Sequence, residues 1–492
     1  MHINKTTLRF CIAIGLALAV STSTLAQGIP GSGWWSGEQV QNVGPDPADF
    51  TVTAYDSASS STYTASSTGV ASGASVVYLP ASFSGMPDGF LGSAIISSDQ
   101  PIKAITNVTN QLSGSYGVSG GKAAAQYQGS EATDTTLYFP NAKNNRYGQT
   151  TAFYIQNAGS GAATATATFN MDNGSTYPFT TPSIGPGKMV VVLPSDAGVP
   201  SSPSDGTRVN IGSMSIISTE PLAGTVLEFK VGEVVATVLK GTRSFTSADF
   251  DSKAYAPVTK NMRYNRFTGI QVMNVTGGPI DVTVTYKGTA NVVGCKDVVF
   301  VDTALAVPAG KSKTFVQLTG QTNLIANCTA AATITATGDF VAIVNEDNSG
   351  GTTAGITYSA RPDADATAKI SAPIFKDQRF GFTTGLQIQN VGLVTATIVV
   401  ATFVCKGNNG ANTPFTAISN PQTIVSGAAF LFYRPSSMPG GTFTVGNPFS
   451  MSGANCGVTI TSDQPVVAIL NETPDSVGAL DDNNYEGFNL VP

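Results

Sequence analysis

The chain has 492 residues, only 11% of them charged, with 52 glycines and a formal net charge of −6. At roughly 100–150 residues per domain this is about four domains of polypeptide, and a composition poor in charge and rich in Gly, Thr, Ser and Asn favours strands and tight turns over helices. The single histidine is His2, so a chain that loses its N-terminus has no imidazole, which excludes Ser/His/Asp and Cys/His nucleophiles and histidine metal sites.

The first element in chain order is a leader. Lys5 and Arg9 precede the apolar run from Phe10 to Val20, and Thr24-Leu25-Ala26 puts small residues where a signal peptidase reads them. Residues 1–26 are therefore expected to be a signal peptide, cleaved before Gln27. The run is short for a membrane span, and no later stretch offers about 20 uninterrupted apolar residues, so no transmembrane segment is expected. Leu8, Arg9 and Phe10 ahead of Cys11 do not make a lipid-attachment site. The leader carries Lys5 and Arg9 and no acid, so its loss takes the formal charge from −6 to −8. A mildly acidic chain without a Lys/Arg cluster does not suit nucleic acid.

After the leader the sequence repeats itself. The segment Tyr138 to Asn157 matches Tyr255 to Asn274 and Ser371 to Asn390 without a gap. In register stand Pro140, Pro257 and Pro373; Lys143, Lys260 and Lys376; Arg146, Arg263 and Arg379; and the aromatics Tyr147, Tyr264 and Phe380. A first copy, Trp34 to Gly44, carries only the end of the segment, its Asn42 aligning with Asn157, Asn274 and Asn390 at separations of 115, 117 and 116 residues. Two further landmarks recur: a Gly turn into a strand (SGASVVYLP, PGKMVVVLP, AGKSKTFVQL, SGAAFLFYRP) and a strand pair around a polar turn (SAIISSDQPIKAITN and its counterparts). Within copies, ATATATF and DVTVTY alternate small or apolar residues with Thr, the period of a strand with one buried face. About seven short strands per copy describe an antiparallel β-sandwich, and the period is too long for a propeller blade. The expected fold is all-β, four tandem antiparallel sandwich domains at 27–133, 134–250, 251–368 and 369–492. The first lacks the Pro-Lys-Arg strand, which leaves a sheet edge open to self-association.

The extended strand, the Gln/Asn-Val-Gly, the alternating Thr/Val and the Ser-Gly turn into another strand resemble the immunoglobulin-like domains of bacterial cell-surface and adhesion proteins. The resemblance implies a non-catalytic extracellular module and supplies no ligand. Such domains can also join a strand Lys to an Asn with the help of a buried carboxyl. Lys143, Lys260 and Lys376 would be the amines, with Asn345 beside Glu346 and Asn471 beside Glu472 as partners, though the second copy has Leu227 and Glu228 at that place. The plainer reading has these Lys and Arg residues pair with a neighbouring domain or cover its apolar rim.

Four cysteines remain after the leader, and each second one stands just before the TITA or TITS strand of its copy. The expected pairs are Cys295 with Cys328 and Cys405 with Cys456, in an oxidising compartment. Oxygen-rich runs at Asn345 to Asn348, Asp363 with Asp365, and Asp481 to Asn484 are candidate calcium ligands at module junctions; no other cofactor is expected. Asn107, Asn173, Asn274, Asn327 and Asn471 open Asn-x-Ser/Thr triplets, which a Thr-rich chain produces by chance. Trp34 and Trp35 are candidates for a ligand or assembly contact, against the alternative that the pleat buries one of them. These readings converge on a secreted cell-surface protein with a structural or adhesive role, as a subunit of a surface layer, sheath or filament, whose partners are further copies or a surface polymer. A secreted glycan- or polymer-binding protein is the alternative, and an extracellular hydrolase, which needs two convergent carboxylates, comes third.

Overall fold

Alternation becomes strand directly in the computed structural model, which describes residues 8–12, 28–110, 123–202, 206–230, 238–349, 355–379, 381–406, 415–433, 453–474 and 483–489. In Ile280–Gly288, for example, Val282, Val284 and Tyr286 are buried while Asp281 is exposed. No described residue lies in an α-helix.

The first repeat contributes β1 (Leu8–Ile12), β2 (Trp35–Asn42), β3 (Ala48–Asp56), β4 (Thr62–Val70), β5 (Ser75–Tyr78), β6 (Gly92–Ser98), β7 (Ile102–Thr109) and β8 (Ala124–Gln128). These form two sheets in the orders β1-β6-β3-β4 and β5-β2-β7-β8. The second repeat holds β9 (Asp134–Lys143), β10 (Gln149–Asn157), β11 (Ala165–Met171), β12 (Thr176–Thr180), β13 (Met189–Val192), β14 (Ile211–Lys230) and β15 (Leu239–Arg243). The third holds β16 (Asp251–Asn261), β17 (Arg266–Asn274), β18 (Ile280–Gly288), β19 (Val299–Val307), β20 (Ser312–Val316), β21 (Cys328–Asn348), β22 (Gly355–Ser359) and β23 (Arg361–Pro362). The fourth holds β24 (Thr367–Asp377), β25 (Phe382–Asn390), β26 (Ala396–Lys406), β27 (Phe415–Ile418), β28 (Gln422–Ile424), β29 (Ala429–Tyr433), β30 (Ala454–Pro474), β31 (Asn483–Glu486) and β32 (Phe488–Asn489).

One long strand organises each of the last three repeats. The N-terminal part of β14 pairs antiparallel with β9 and β11, and its C-terminal part, from Leu222 to Lys230, pairs with β10. β21 and β30 do the same in their repeats, while β6 and β7 are the two halves in the first.

The aligned asparagines explain the fourfold register. Asn42, Asn157, Asn274 and Asn390 are fully buried at the ends of β2, β10, β17 and β25. Each Nδ2 donates to two carbonyls, those of Asp46 and Val70, Gly161 and Ile184, Gly278 and Val307, and Val394 and Ile424, at 2.7–2.9 Å. Each Oδ1 accepts a backbone N–H two residues on, from Gly44, Gly159, Thr276 and Gly392. An Asn at this place thus satisfies three backbone groups of a turn that no strand partner reaches.

The predicted open edge of the first repeat is occupied. Leu8–Ile12 pairs antiparallel with β6, Phe10 opposite Ile96, as Leu137 of β9 stands opposite Ile216. Five residues of the predicted leader thus stand where the other repeats place their Pro-Lys-Arg strand; residues 1–7 and 13–27 lie outside the described set.

Chain contacts divide the molecule into two compact units, Met1–Phe250 with Pro308–Ser312, and Asp251–Val307 with Lys313–Pro492. Inside each unit the two repeats share apolar contacts. In the first unit Trp34, Val108 and Tyr127 join Ala152, Tyr154, Leu227, Phe229 and Leu239 in one cluster. In the second, Ile469 of β30 belongs to the cluster of the third repeat. The reason is that β10 and β25 are buried on both faces, Thr150–Asn157 and Phe382–Asn390 without a break, so one face is left for the neighbouring repeat. Gln156 Nε2 crosses to the Ala94 carbonyl at 3.4 Å and Gln389 Nε2 to that of Ala332 at 3.3 Å, so the aligned glutamine marks the same joint in both units.

Candidate functional site

The repeated lysines meet a buried carboxylate in their own repeat. Lys143 lies 2.9 Å from Glu228, Lys260 lies 2.8 Å from Glu346 and Lys376 lies 2.9 Å from Glu472. The lysines close the first strand of their repeat, β9, β16 or β24, and the glutamates sit in the C-terminal half of the long strand. The expectation that these lysines reach a neighbouring domain is thereby corrected. The alternative of a join to the adjacent asparagine is not met either: a neighbour along a strand points to the opposite face, and Asn345 Oδ1 accepts from Thr357. Arg266 adds a second cation to Glu346 at 3.1 Å. Burial would raise the Glu346 carboxyl, but Lys260 and Arg266 outweigh it and hold it below its ordinary value.

Glu228 has the fullest set of partners. Lys240 Nζ donates to Oε1 at 2.8 Å, Asn141 Nδ2 to Oε2 at 2.6 Å, and Lys143 is the second cation. Its burial is outweighed by Lys143 and Lys240, which lower the carboxyl to about 2. Glu38, buried on β2, has the opposite surroundings: Thr106 Oγ1 donates at 2.7 Å and Ser36 Oγ at 3.3 Å, and burial raises it to about 8. The lysine alignment pointed at Lys143, Lys260 and Lys376 and missed Asn141, Lys240 and Glu38. Asn141 had a signal, because it is polar where the aligned residues are Val258 and Ile374.

The Arg-Tyr turns place their tyrosines on the surface. Arg146 and Arg263 each stack on the following tyrosine at 4.4 Å and donate to its hydroxyl at 3.1 Å. Tyr147 and Tyr264 are 67% and 73% exposed, held out by left-handed backbone at Asn145, Tyr147, Met262, Tyr264 and Asn265. Phe380, their counterpart, lies outside the described residues. Within the second unit, Arg263 and Tyr264 flank a cavity of about 560 Å³ whose lining includes Lys296, Asp297, Gln387 and Phe430. Such a cleft offers an aromatic face, both charges and amide groups to a polar ligand.

Both disulfides are present, Cys295–Cys328 and Cys405–Cys456. A Cβ on Gly288 would lie 1.7 Å from the Cys295 carbonyl, so only glycine lets the first disulfide loop close onto β18. Two disulfides point to an oxidising, extracellular environment, and no helix among the described residues is long and apolar enough to cross a membrane. Trp34 is completely buried, its Nε1 donating to the Pro30 carbonyl at 3.2 Å, so it belongs to the core and offers no contact surface; Trp35 is half-buried. Of the oxygen-rich runs, Glu346 is engaged by Lys260, Asp363 by Tyr255 and Lys253, and Asp365 by Arg361. Asp481 and Asp482 lie outside the described residues. No group of three His, Cys, Asp or Glu suited to a metal occurs among the described residues.

No protein-family model matches the chain, and no curated protein does. Among solved structures, the crystal structure of Thermotoga maritima 1070 is similar over 22% of this chain and 91% of its own, at 20% identity and a TM-score of 0.19. A tetra-tandem repeat in the extending region of a large adhesion protein is similar over 91% of this chain and 93% of its own, at 13% identity and a TM-score of 0.11. Neither likeness is close enough to bear on function, which is read from the strands and their registers.

Proposed function

We propose that the chain is an exported, non-catalytic cell-surface protein of four antiparallel, immunoglobulin-like β-sandwich repeats, with a structural or adhesive role as a subunit of a layer, sheath or filament. The observation that carries this reading is the fourfold reuse of one strand set, locked each time by the same buried asparagine. Repetition of a scaffold, with the variation placed in how each copy is fastened, suits a load-bearing part more than a single reaction centre. The first copy begins from residue 27 after export, and the chain then meets further copies or a surface polymer.

Cell fractionation with an antibody to the chain tests location. Recovery on the outer surface, released without detergent, is the expected result, and recovery in the cytosol with reduced cysteines would overturn it. A second reading, a secreted binder of glycans or related polymers, is favoured by the exposed rings of Tyr147 and Tyr264, each stacked on its arginine, and the cavity beside the latter. A glycan array probed with the wild type and with Tyr264→Ala separates the two readings.

A further inference from the structure

The joint between paired repeats is packed in the first unit and hollow in the second, and aligned residues decide which. Ala152 and Tyr154 of β10 correspond to Gly385 and Gln387 of β25. Val191, opposite Tyr154 on β13, corresponds to Leu431, opposite Gln387 on β29. In the first unit Tyr154 is 1% exposed and shares a cluster with side chains of the first repeat. Gly28 packs so closely there that a Cβ on it would lie 2.9 Å from Val191, 3.1 Å from Ala152 and 3.2 Å from the Tyr154 hydroxyl. In the second unit a glycine and a glutamine replace the methyl and the ring, and Gln387 and Leu431 line the cavity of about 560 Å³ beside Tyr264. That volume lies in the range of small-molecule sites. Gln387 is 5% exposed, and its carboxamide makes no hydrogen bond with any described residue. A buried amide without a partner is costly, and a polar ligand in the cavity gives it one.

We infer that this cavity binds an acidic sugar, a uronic acid residue of an acidic polysaccharide. The fourth repeat contributes the exposed apolar side chains Val425 and Leu431, which together with the exposed ring of Tyr264 suit the C–H face of a sugar. Gln387 and Asp297 serve its hydroxyls, the amide as donor and acceptor and the carboxylate as acceptor. Arg263 and Lys296 take the sugar carboxylate. Neither cation meets a carboxylate among the described residues. Arg263 donates to Asn327 Oδ1 at 3.0 Å and to the Tyr264 hydroxyl at 3.1 Å, which fixes the guanidinium in place with N–H groups still to give. Arg263 and Lys296 against Asp297 leave a single net positive charge, which matches one carboxylate better than a phosphate of nearly two charges. In the first unit Tyr154 holds the place of Gln387, so the site belongs to the second unit alone.

The inference rests on the binding reading above and names its ligand. Its test is calorimetric titration of the full chain with short oligomers of galacturonate, glucuronate and mannuronate, beside their methyl esters, a neutral glucan oligomer and a poly-glutamate peptide. Saturable binding of an acidic sugar is expected, weakened about tenfold by esterification and weakened again by salt. Lys296→Gln, at an exposed position, lowers the affinity about tenfold. Gln387→Tyr, which brings in the ring of the first unit, abolishes binding while the second unit still unfolds cooperatively. Binding of the neutral glucan alone would keep the binding reading and overturn the acidic ligand. Poly-glutamate binding as tightly as the sugars would overturn the sugar, and binding unchanged in both variants would overturn the site. If no probe binds, the inference falls, and the glycan array decides the binding reading separately.

Discussion

The second repeat and the last two bury a glutamate at the same register of the same strand, yet only the last two carry a disulfide, and the second surrounds its carboxylate with two lysines and an amide. The first repeat has neither device: Val108 stands at the place of Glu228, and its buried acid, Glu38, lies on another strand with hydroxyl partners alone. The difference shows that one strand plan tolerates several fasteners, and that a buried carboxyl takes opposite character according to whether a cation accompanies it. Glu228 is held near 2 by its lysines and Glu38 is raised near 8 by burial.

The comparison breaks most sharply at Glu228. Glu228→Ala leaves two ammonium groups buried and should destabilise the first unit by about 3–5 kcal/mol, read as a lower denaturant midpoint, with the second unit unchanged. Reduction inverts the pattern. Each disulfide closes a loop with a sequence separation of 33 or 51 residues. Its loss should cost the second unit about 3–4 kcal/mol and the first unit nothing. A thermal scan with and without reductant, followed by Trp34 and Trp35 fluorescence for the first unit, checks both.

The two acids also set opposite pH limits on the first unit. Glu38 binds its proton more tightly when folded, so its contribution is present below about 4.5 and is lost as pH rises towards 8. Glu228 binds its proton less tightly when folded, so its contribution is present above about 4.5 and fades as pH falls towards 2. Glu38→Gln should therefore gain on the order of 3 kcal/mol at pH 9 relative to the wild type, with little change at pH 4. An equal gain at both pH values would remove Glu38 as the cause.

Smaller effects sharpen the fourfold part. Asn274→Ala strips three backbone partners from a buried turn and should cost about 2 kcal/mol, with Asn157→Ala and Asn390→Ala alike. Tyr147→Ala and Tyr264→Ala touch only exposed rings and should stay within about 0.5 kcal/mol of the wild type. Any loss of surface or glycan binding in those two variants would then be direct.

Much of this architecture is legible in the residues. The alternation in Asp281–Tyr286 gives a half-buried strand, the gap-free match around Arg146 and Arg263 gives the same hairpin turn, and the cysteine placement gives both disulfides. Pairing of the repeats was not legible, because an apolar run such as Ala152–Ile155 does not say whether its second face meets its own sheet or a neighbour. The five residues Leu8 to Ile12 of the expected leader alternate as a strand does, so they suit an export signal and a sheet edge equally well. Among the buried charges, sequence alignment located the lysines and brought Glu228, Glu346 and Glu472 to matching places, but it could not say that the glutamates and not the adjacent asparagines meet the lysines.

The most direct test of the surface role is light scattering with negative-stain microscopy on purified residues 27–492, with calcium and then with a chelator. Ordered polymers or sheets are the predicted result, and their loss on chelation would assign the acidic runs a calcium role. A monomer under both conditions that also fails to bind the intact cell surface would contradict a structural or adhesive protein.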